Sequence, residues 1–381
     1  MSMNSRAEPF RRFGRGAIVF GTLLHDADER WPGRNQLLSA LSEHVPVVFL
    51  ERRGANGGWL TKIEEDRPGR AYIARNAYPL SSSRLSRLRV TARLDAAQLF
   101  LALRRAGFRR HVLWLTAADP RLTHSTRKGR LLYDCADPNF LPEENLDFER
   151  DESRVASRAA LTFSTANALL RRMKQFNSQS FLLPNGTSTD FHPERTRILS
   201  RPAELHMGGG PVIGYLGTID WRFAPEYVEV AAAEHPAWTF ALVGRINDDQ
   251  RRRIRSLQQL PNVIFPGPVD YETGRAWLGS FDVGIIPFRP GPISDAINPV
   301  KMYMYLMGGL PVVATEMEEC LRNPLVVTAG APTSFSLELE RALESTSELI
   351  KNQRIRYALA NTWSERAIEA LQLLEKAGMF V

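Results

Sequence analysis

A lysine in the first turn of a helix is a misplaced cation, and the run INPVKMYMYLMGGLPVVAT, residues 297–315, puts one there. Asn298 followed by Pro299 is a helix-start pair. Asparagine caps free amides, and proline at the first helical position has no amide to leave unpaired. Val300 and Lys301 then fall where the helix dipole is positive, so the lysine costs about 0.3–1 kcal/mol unless an anion sits beside it. The same end of a helix binds phosphate through its free amides. Lys301 follows a predicted strand, VGIIPF, and a loop, FRPGPISDAI, and therefore points to a diphosphate. The plain alternative is a solvated surface lysine. Carboxylates stand near other predicted strand ends, Asp134 and Asp137 in YDCAD and Asp26 and Asp28 in HDADER. The seven histidines form no closely spaced pair, and Cys135 and Cys320 are the only thiols, so neither a zinc site nor a disulfide framework is expected.

The elements that must position these groups are legible as short apolar runs. In the C-terminal half PVIGYLG, WTFALVG, NVIFPG, VGIIPF, LPVVAT and PLVVTA alternate with helical stretches such as APEYVEVAAAEH and NDDQRRRIRSLQQL. Strands this apolar are covered on both faces, which means a doubly wound parallel sheet. The N-terminal half repeats the pattern less regularly. AIVFGT, VPVVFLE, AYIAR, HVLWLT, RLLYDC, LTFST and SFLLPNG read as strands, and RNQLLSALSEH, SRLSRLRVTARLDAAQLFLALRRAG and TANALLRRMKQF as helices. The expected organisation is an α/β pair of Rossmann-like domains facing each other across a cleft, over residues 1–190 and 211–360. A polar, glycine-ended linker at 191–210 joins them, and a last helix at 361–381 is expected to cross back. Ligands collect at the carboxyl ends of parallel strands.

Size and charge narrow the classes further. At 381 residues the chain exceeds what one core usually supports, and no window approaches a membrane span. The start, MSMNSRAEPFRRFGRGAIVFGTLL, has the basic and apolar regions of a signal peptide without its cleavage pattern, and a first buried strand explains it better. A cytoplasmic location follows. The net charge of +7 is uneven: residues 67–130 hold 15 basic residues against Asp95 and Asp119 alone. Such a surface attracts anions, whether lipid headgroups, nucleic acid or phosphorylated substrates, unless it is only a solvated helical face. Nucleic acid is disfavoured because the interleaved aromatics of its binding modules are missing.

SFLLPNGTSTDFHP, PVIGYLGTIDW and VGIIPFRPGPISDAINPVKMYMYLMGGLPVVAT, with RLLYDCAD and WPGRNQLLSALSEHVPVVFLE before them, resemble in order and spacing the GT-B glycosyltransferases. The likeness is to the bacterial group-4-like enzymes, the group 1 family, of polysaccharide assembly, and it covers nearly the whole chain. It implies that the C-terminal domain holds a nucleotide-sugar donor. The diphosphate would lie on the helix led by Asn298, Val300 and Lys301 and on Gly217 and Thr218, where a missing Cβ lets backbone amides approach phosphate. The base would lie between Gly244-Arg245 and the PGPV turn ending at Val269, unless Arg245 is a plain surface residue.

One departure matters. The usual pattern has glutamates at the positions of Ala296 and Met304, the second holding the ribose, and methionine is too weak an acceptor for that role. Asp295 is a candidate substitute for the first. GT-B enzymes of the xanthan-pathway glucuronosyltransferase type also lack a glutamate while keeping the lysine, and they invert at the anomeric carbon. Inversion needs a carboxylate base, which a retaining front-face transfer does not. Asp137 is the favoured base, then Asp134, whose alternative role is to cap the following turn. The triplet Asp26-Ala27-Asp28 imitates a metal motif of another glycosyltransferase class but precedes any nucleotide-binding half, so no metal and no cofactor are expected.

For the acceptor the candidates are Gly21, Asp26, Trp31 and Arg34, with Trp31 stacking on a sugar, unless it is core, and Arg34 binding a lipid pyrophosphate. The arginine-rich helix near residues 83–110 would pack on one side and show cations to an anionic inner-leaflet membrane surface on the other. The function expected is transfer of a sugar from a nucleoside diphosphate sugar, UDP favoured, to a lipid-linked or growing glycan. The alternative is a degenerate GT-B scaffold or regulator.

Overall fold

A computed structural model describes residues 16–24, 33–52, 60–67, 70–78, 89–119, 123, 130–137, 146–207, 209–345 and 347–379. The chain forms two units, 1–184 with 364–381, and 185–363. The first is built from β1 (Gly16–Leu24), α1 (Gly33–Leu41), β2 (Val47–Arg52), β3 (Lys62–Arg67), β4 (Ala71–Tyr78), α2 (Arg89–Arg105), β5 (Arg110–Leu115), β6 (Leu131–Cys135), α3 (Leu146–Arg158), β7 (Leu161–Ser164), α4 (Asn167–Phe176) and β8 (Ser180–Leu182). Its sheet runs β3-β4-β2-β1-β5-β6-β7-β8, parallel except for β3 on β4.

The second unit contains α5 (Pro193–Thr196), β9 (Val212–Leu216), α6 (Pro225–Glu234), β10 (Thr239–Val243), β11 (Val263–Gly267), α7 (Tyr271–Leu278), β12 (Val283–Ile286), α8 (Pro292–Asp295), α9 (Val300–Met307), β13 (Val312–Thr315), α10 (Glu318–Leu321), β14 (Val326–Ala329), α11 (Pro332–Glu344) and α12 (Glu348–Leu359). The last helix, α13 (Trp363–Lys376), groups from Ser364 onward with the first unit. The second sheet, β11-β10-β9-β12-β13-β14, is parallel throughout. Its strand order reverses between β9 and β12, and a crevice outside the carboxyl ends of the strands at such a point is where open α/β sheets bind ligands.

The apolar runs became strands because they are buried on both faces. Every residue of β6, β7, β9, β12 and β13 is buried. Trp114, Tyr133 and Phe163 fill the first core, and Tyr215, Phe240, Trp277 and Tyr305 the second. At about 1.5–3 kcal/mol for each large apolar side chain removed from water, these clusters supply the main driving force.

Three elements differ from expectation. The stretch NDDQRRRIRSLQQL is not an α-helix but turns flanked by two short 3₁₀ segments, Asp248–Gln250 and Leu257–Gln259. With only Ile254 and Leu257 as buried apolar anchors, it lacks the stripe an amphipathic helix needs. Strand β3, KIEEDR, was invisible to an apolar search because it is a charged edge strand, held by its antiparallel ladder to β4, with Arg75 and Glu64 paired at 2.6 Å across it. The segment expected as a linker is structured within the second unit. Asp190 accepts from Ser188 at 2.8 Å, Tyr271 at 2.9 Å and Arg195 at 2.7 Å, while Arg275 donates to the carbonyls of Asp190 and Arg195.

Candidate active site

The second unit concentrates its chemistry at the carboxyl ends of β9 and β12. Helix α9 is buried from Met302 to Met307, and two devices fix it, one against β9 and one against β12. Tyr305 accepts a hydrogen bond from the Leu216 N–H at 2.9 Å, and the bare α-carbon of Gly284 faces the Tyr305 ring, which a Cβ would meet at 2.5 Å. Lys301 is thereby laid across the end of β9. A Cβ on Gly217 would lie 2.6 Å from both Cε and Nζ of Lys301, and the Gly217 φ of 142° is one that other residues rarely adopt. Gly217 therefore makes room for the ammonium. Its own N–H is already given to the Val243 carbonyl at 2.8 Å, so it does not offer the phosphate-facing amide that the sequence suggested. Gly244, at the end of β10, is tighter still: a Cβ there would meet the Gly217 carbonyl oxygen at 2.1 Å.

The Lys301 ammonium lies 5.0 Å from the Tyr215 ring centroid and 5.4 Å from that of Phe288, within cation–π range of both. Among the described residues no carboxylate stands within 4.0 Å of it. A glutamate at 304 would stand one turn along the same helix face; Met304, buried at 7% exposure, supplies no charge. Burial and the nearby Arg222 lower the lysine to about 8 against the opposing pull of Asp220. Asp220 is itself engaged. Arg222 donates to it through Nε at 2.9 Å, through its backbone N–H at 3.0 Å and through Nη2. Burial would raise the Asp220 carboxyl, but these bonds outweigh it and hold it below the ordinary range. The Arg222 guanidinium also lies 5.4 Å from the Phe288 ring. Two cations thus meet at the end of β9, and Lys301 has no carboxylate in ion-pair range among the described residues, in a partly desolvated place that suits an anion. Asp220, Arg222, Tyr215 and Phe288 went unnoticed in the sequence. GTIDWRF carried the signal for the first two, an acid and a base two apart directly after a strand-end glycine; Phe288 is brought in only by the fold.

Asn298 does not cap α9. The N-cap is Pro299, no side chain caps it, and Val300 is the first helical residue. The Asn298 side chain, 4% exposed, instead accepts from the Asn185 N–H at 2.9 Å and donates to the Tyr303 hydroxyl at 3.2 Å and Glu319 at 3.4 Å. The first-turn amides are left without a side-chain cap beside Lys301. Asp295 accepts from the Glu318 N–H at 3.0 Å, so it serves the start of α10. Thr218 and Val269 are half-buried, and Arg245 is exposed, with its carbonyl accepting from the Ile219 N–H at 2.8 Å. The Thr218 carbonyl accepts from the Tyr215 hydroxyl at 2.7 Å.

In the first unit Asp137 and Asp134 differ sharply. Asp134 has no exposed surface and accepts from the Trp114 indole at 3.0 Å, inside the sheet. Asp137 lies just beyond the carboxyl end of β6 and is exposed. Gly21 is in β1 and Arg34 in α1, while Asp26, Asp28 and Trp31 lie outside the described residues. Among the described residues no group of three or more His, Cys, Asp or Glu is placed to hold a metal ion, and no helix is long and apolar enough to cross a membrane. Helix α2 buries Ala96, Leu99, Ala102 and Leu103, but its other side mixes apolar and cationic groups, since Leu94, Phe100 and Leu101 are exposed alongside Arg104 and Arg105.

Two α/β sheets, parallel except for β3 on β4, with Lys301 and Arg222 near the strand-order reversal of the second, have the architecture of the GT-B fold. Residues 210–345, the part of the chain that carries Lys301, match the family model for glycosyl transferases group 1, and the chain is a glycosyltransferase. The chain is 26% identical over 280 residues to TuaH of Bacillus subtilis (strain 168), which is named a glycosyltransferase of teichuronic acid biosynthesis; the match spans 68% of this chain and 70% of TuaH. Among solved structures it is similar to sucrose-phosphate synthase from Thermosynechococcus elongatus, with TM-score 0.68, 17% identity and 95% and 98% of the two chains covered. An E. coli trehalose-6-phosphate structure bound with UDP-2-fluoro glucose gives 0.70, 11%, 94% and 98%. Anabaena HepE in complex with UDP and glucose gives 0.64, 14%, 93% and 99%. At these identities the structures establish the fold, which is GT-B. The degenerate-scaffold alternative is not favoured by any of these likenesses.

Proposed function

We propose that the protein transfers a sugar from a UDP-sugar to a lipid-linked or growing polysaccharide acceptor, at the membrane surface and without a metal. The observation that carries the donor site is Lys301: a partly buried ammonium over Gly217, between two aromatic rings, with no carboxylate in ion-pair range among the described residues and uncapped helix amides beside it. Lys301, Arg222 and the first turn of α9 would neutralise the charge that develops on the departing diphosphate, as a preorganised electrostatic site. The nucleotide in the HepE and E. coli structures supports UDP, and the name of TuaH supports a cell-surface polymer.

In the transfer the bond from the anomeric carbon to the phosphate oxygen breaks, and one to the acceptor hydroxyl oxygen forms. With inversion the hydroxyl proton passes to Asp137, the exposed carboxylate of the pair; with retention it passes to the leaving phosphate. Helix α2 would rest on anionic lipid, where each nearby arginine contributes up to about 1 kcal/mol and the exposed Leu94, Phe100 and Leu101 enter the headgroup boundary. Isothermal titration with UDP, GDP and their sugars tests the donor assignment. Micromolar to sub-millimolar UDP binding that Lys301→Ala weakens by roughly 10- to 150-fold is expected; no binding of any nucleotide at millimolar concentration sinks it.

A further inference from the structure

The tripeptide Pro184-Asn185-Gly186 holds the place where the chain passes from the first unit into the second, and the chain passes back at Trp363–Ser364. The two passages are stitched side by side. Thr187 pairs with Thr362 as an isolated bridge, its N–H reaching the Asn361 carbonyl at 3.2 Å and its carbonyl taking the Trp363 N–H at 3.0 Å. Gly186 has no room for a side chain, since a Cβ would lie 2.9 Å from the Asn361 oxygen. Asn185 is therefore held by its neighbours in sequence. From there it grips Asn298 twice, its N–H on Oδ1 at 2.9 Å and its Nδ2 on the Asn298 carbonyl at 2.7 Å.

Asn298 stands two residues before the first turn of α9, and its carboxamide is otherwise spent on Tyr303 and Glu319. Pro299 contributes no N–H, and no side chain caps the helix. The direction in which the Val300 and Lys301 amides point is thus set from outside the helix, through Asn298. A cap within the helix would have fixed the turn but also consumed an amide; the Asn185 grip fixes it while leaving the amides for a ligand.

We propose that Asn185 is a positioning residue for the donor end of α9: it touches no ligand, and it aligns the first-turn amides and Lys301 for the diphosphate through the double hydrogen bond to Asn298. This rests on the donor site proposed above. The test is a double-mutant cycle on the full chain, titrating UDP into the parent protein, Asn185→Asp, Lys301→Ala and the double variant, with thermal melting and hydrogen exchange of amides 300–303. Asn185→Asp is isosteric and replaces the Nδ2 donor with a carboxylate oxygen that repels the Asn298 carbonyl. UDP binding roughly fivefold weaker is expected, as for one lost hydrogen bond. The loss should shrink to within about twofold in the Lys301→Ala background, with faster exchange at Met302, whose N–H is held by the Pro299 carbonyl at 3.1 Å. Asn185→Ala, which adds no repulsive oxygen, should rank the same way and replaces the aspartate variant if that one does not fold. A lowered melting temperature with unchanged UDP affinity overturns the proposal, as does an equal loss in both backgrounds. Failure of the parent protein to bind UDP overturns the donor site itself and this proposal with it.

Discussion

Lys301→Met should make the protein more stable and less able to bind its donor. The lysine falls from 10.5 to about 8 in the folded protein because burial penalises the charged form and Arg222 repels it. At about 1.36 kcal/mol per unit, holding the ammonium charged costs on the order of 3 kcal/mol. The unfolded chain binds the extra proton between about 8 and 10.5, so this penalty is fully present below 8 and fades as pH rises through that window. Methionine removes the penalty, keeps the apolar stem over Gly217, and forfeits the cation–π contacts with Tyr215 and Phe288, about 0.5–1 kcal/mol each. The balance is a gain of roughly 1–2 kcal/mol, or about 5 °C in Tm for a unit of this size. UDP affinity should fall by roughly 10- to 150-fold, the equivalent of a lost charge-assisted hydrogen bond. The parent protein's UDP affinity should also decline above pH 8, while that of the variant stays flat. Calorimetric titration and melting at pH 7 read both effects. A variant that melts lower, or binds UDP as tightly as the parent, refutes this account of Lys301.

Three further outcomes follow from the same geometry. Gly217→Ala should leave a folded protein with weakened UDP binding, because the Cβ displaces only the flexible end of Lys301; Gly244→Ala, whose Cβ meets backbone oxygen at 2.1 Å, should destabilise by several kcal/mol on the scale of about 1–3 for overpacking or more. Chemical denaturation and titration separate the two. Asp137→Asn should cut turnover by roughly 100-fold or more with UDP affinity unchanged if the enzyme inverts, whereas full activity in the variant removes Asp137 as the base. Leu101→Ser with Arg105→Glu should abolish co-sedimentation with vesicles containing anionic lipid and leave binding of UDP untouched; equal sedimentation of parent and variant eliminates α2 as the membrane contact.

The sequence by itself determined the two parallel sheets. Thirteen apolar runs were readable as strands because a strand covered on both faces has to be apolar along its whole length, and each of those runs is one in the structure. The exception, KIEEDR, escaped because it is an exposed, charged edge strand, whereas the other edge strands, β8, β11 and β14, kept apolar sequences. The sequence also located the end of α9, at Gly308 and Gly309, and singled out Lys301 by the cost of its charge. It misassigned Asn298, because Asn-Pro is the same pair of letters whether the asparagine caps its own helix or reaches residue 185 across the chain. Only the tertiary structure decided that Gly217 serves to admit the lysine rather than to offer an amide, that Arg222 and Phe288 complete the site, and that Asp134 is sealed under Trp114 while Asp137 is not. Local periodicity is written in neighbouring residues and can be read from them. Which side chains share a desolvated charge depends on strand order, and strand order brings together residues more than sixty positions apart.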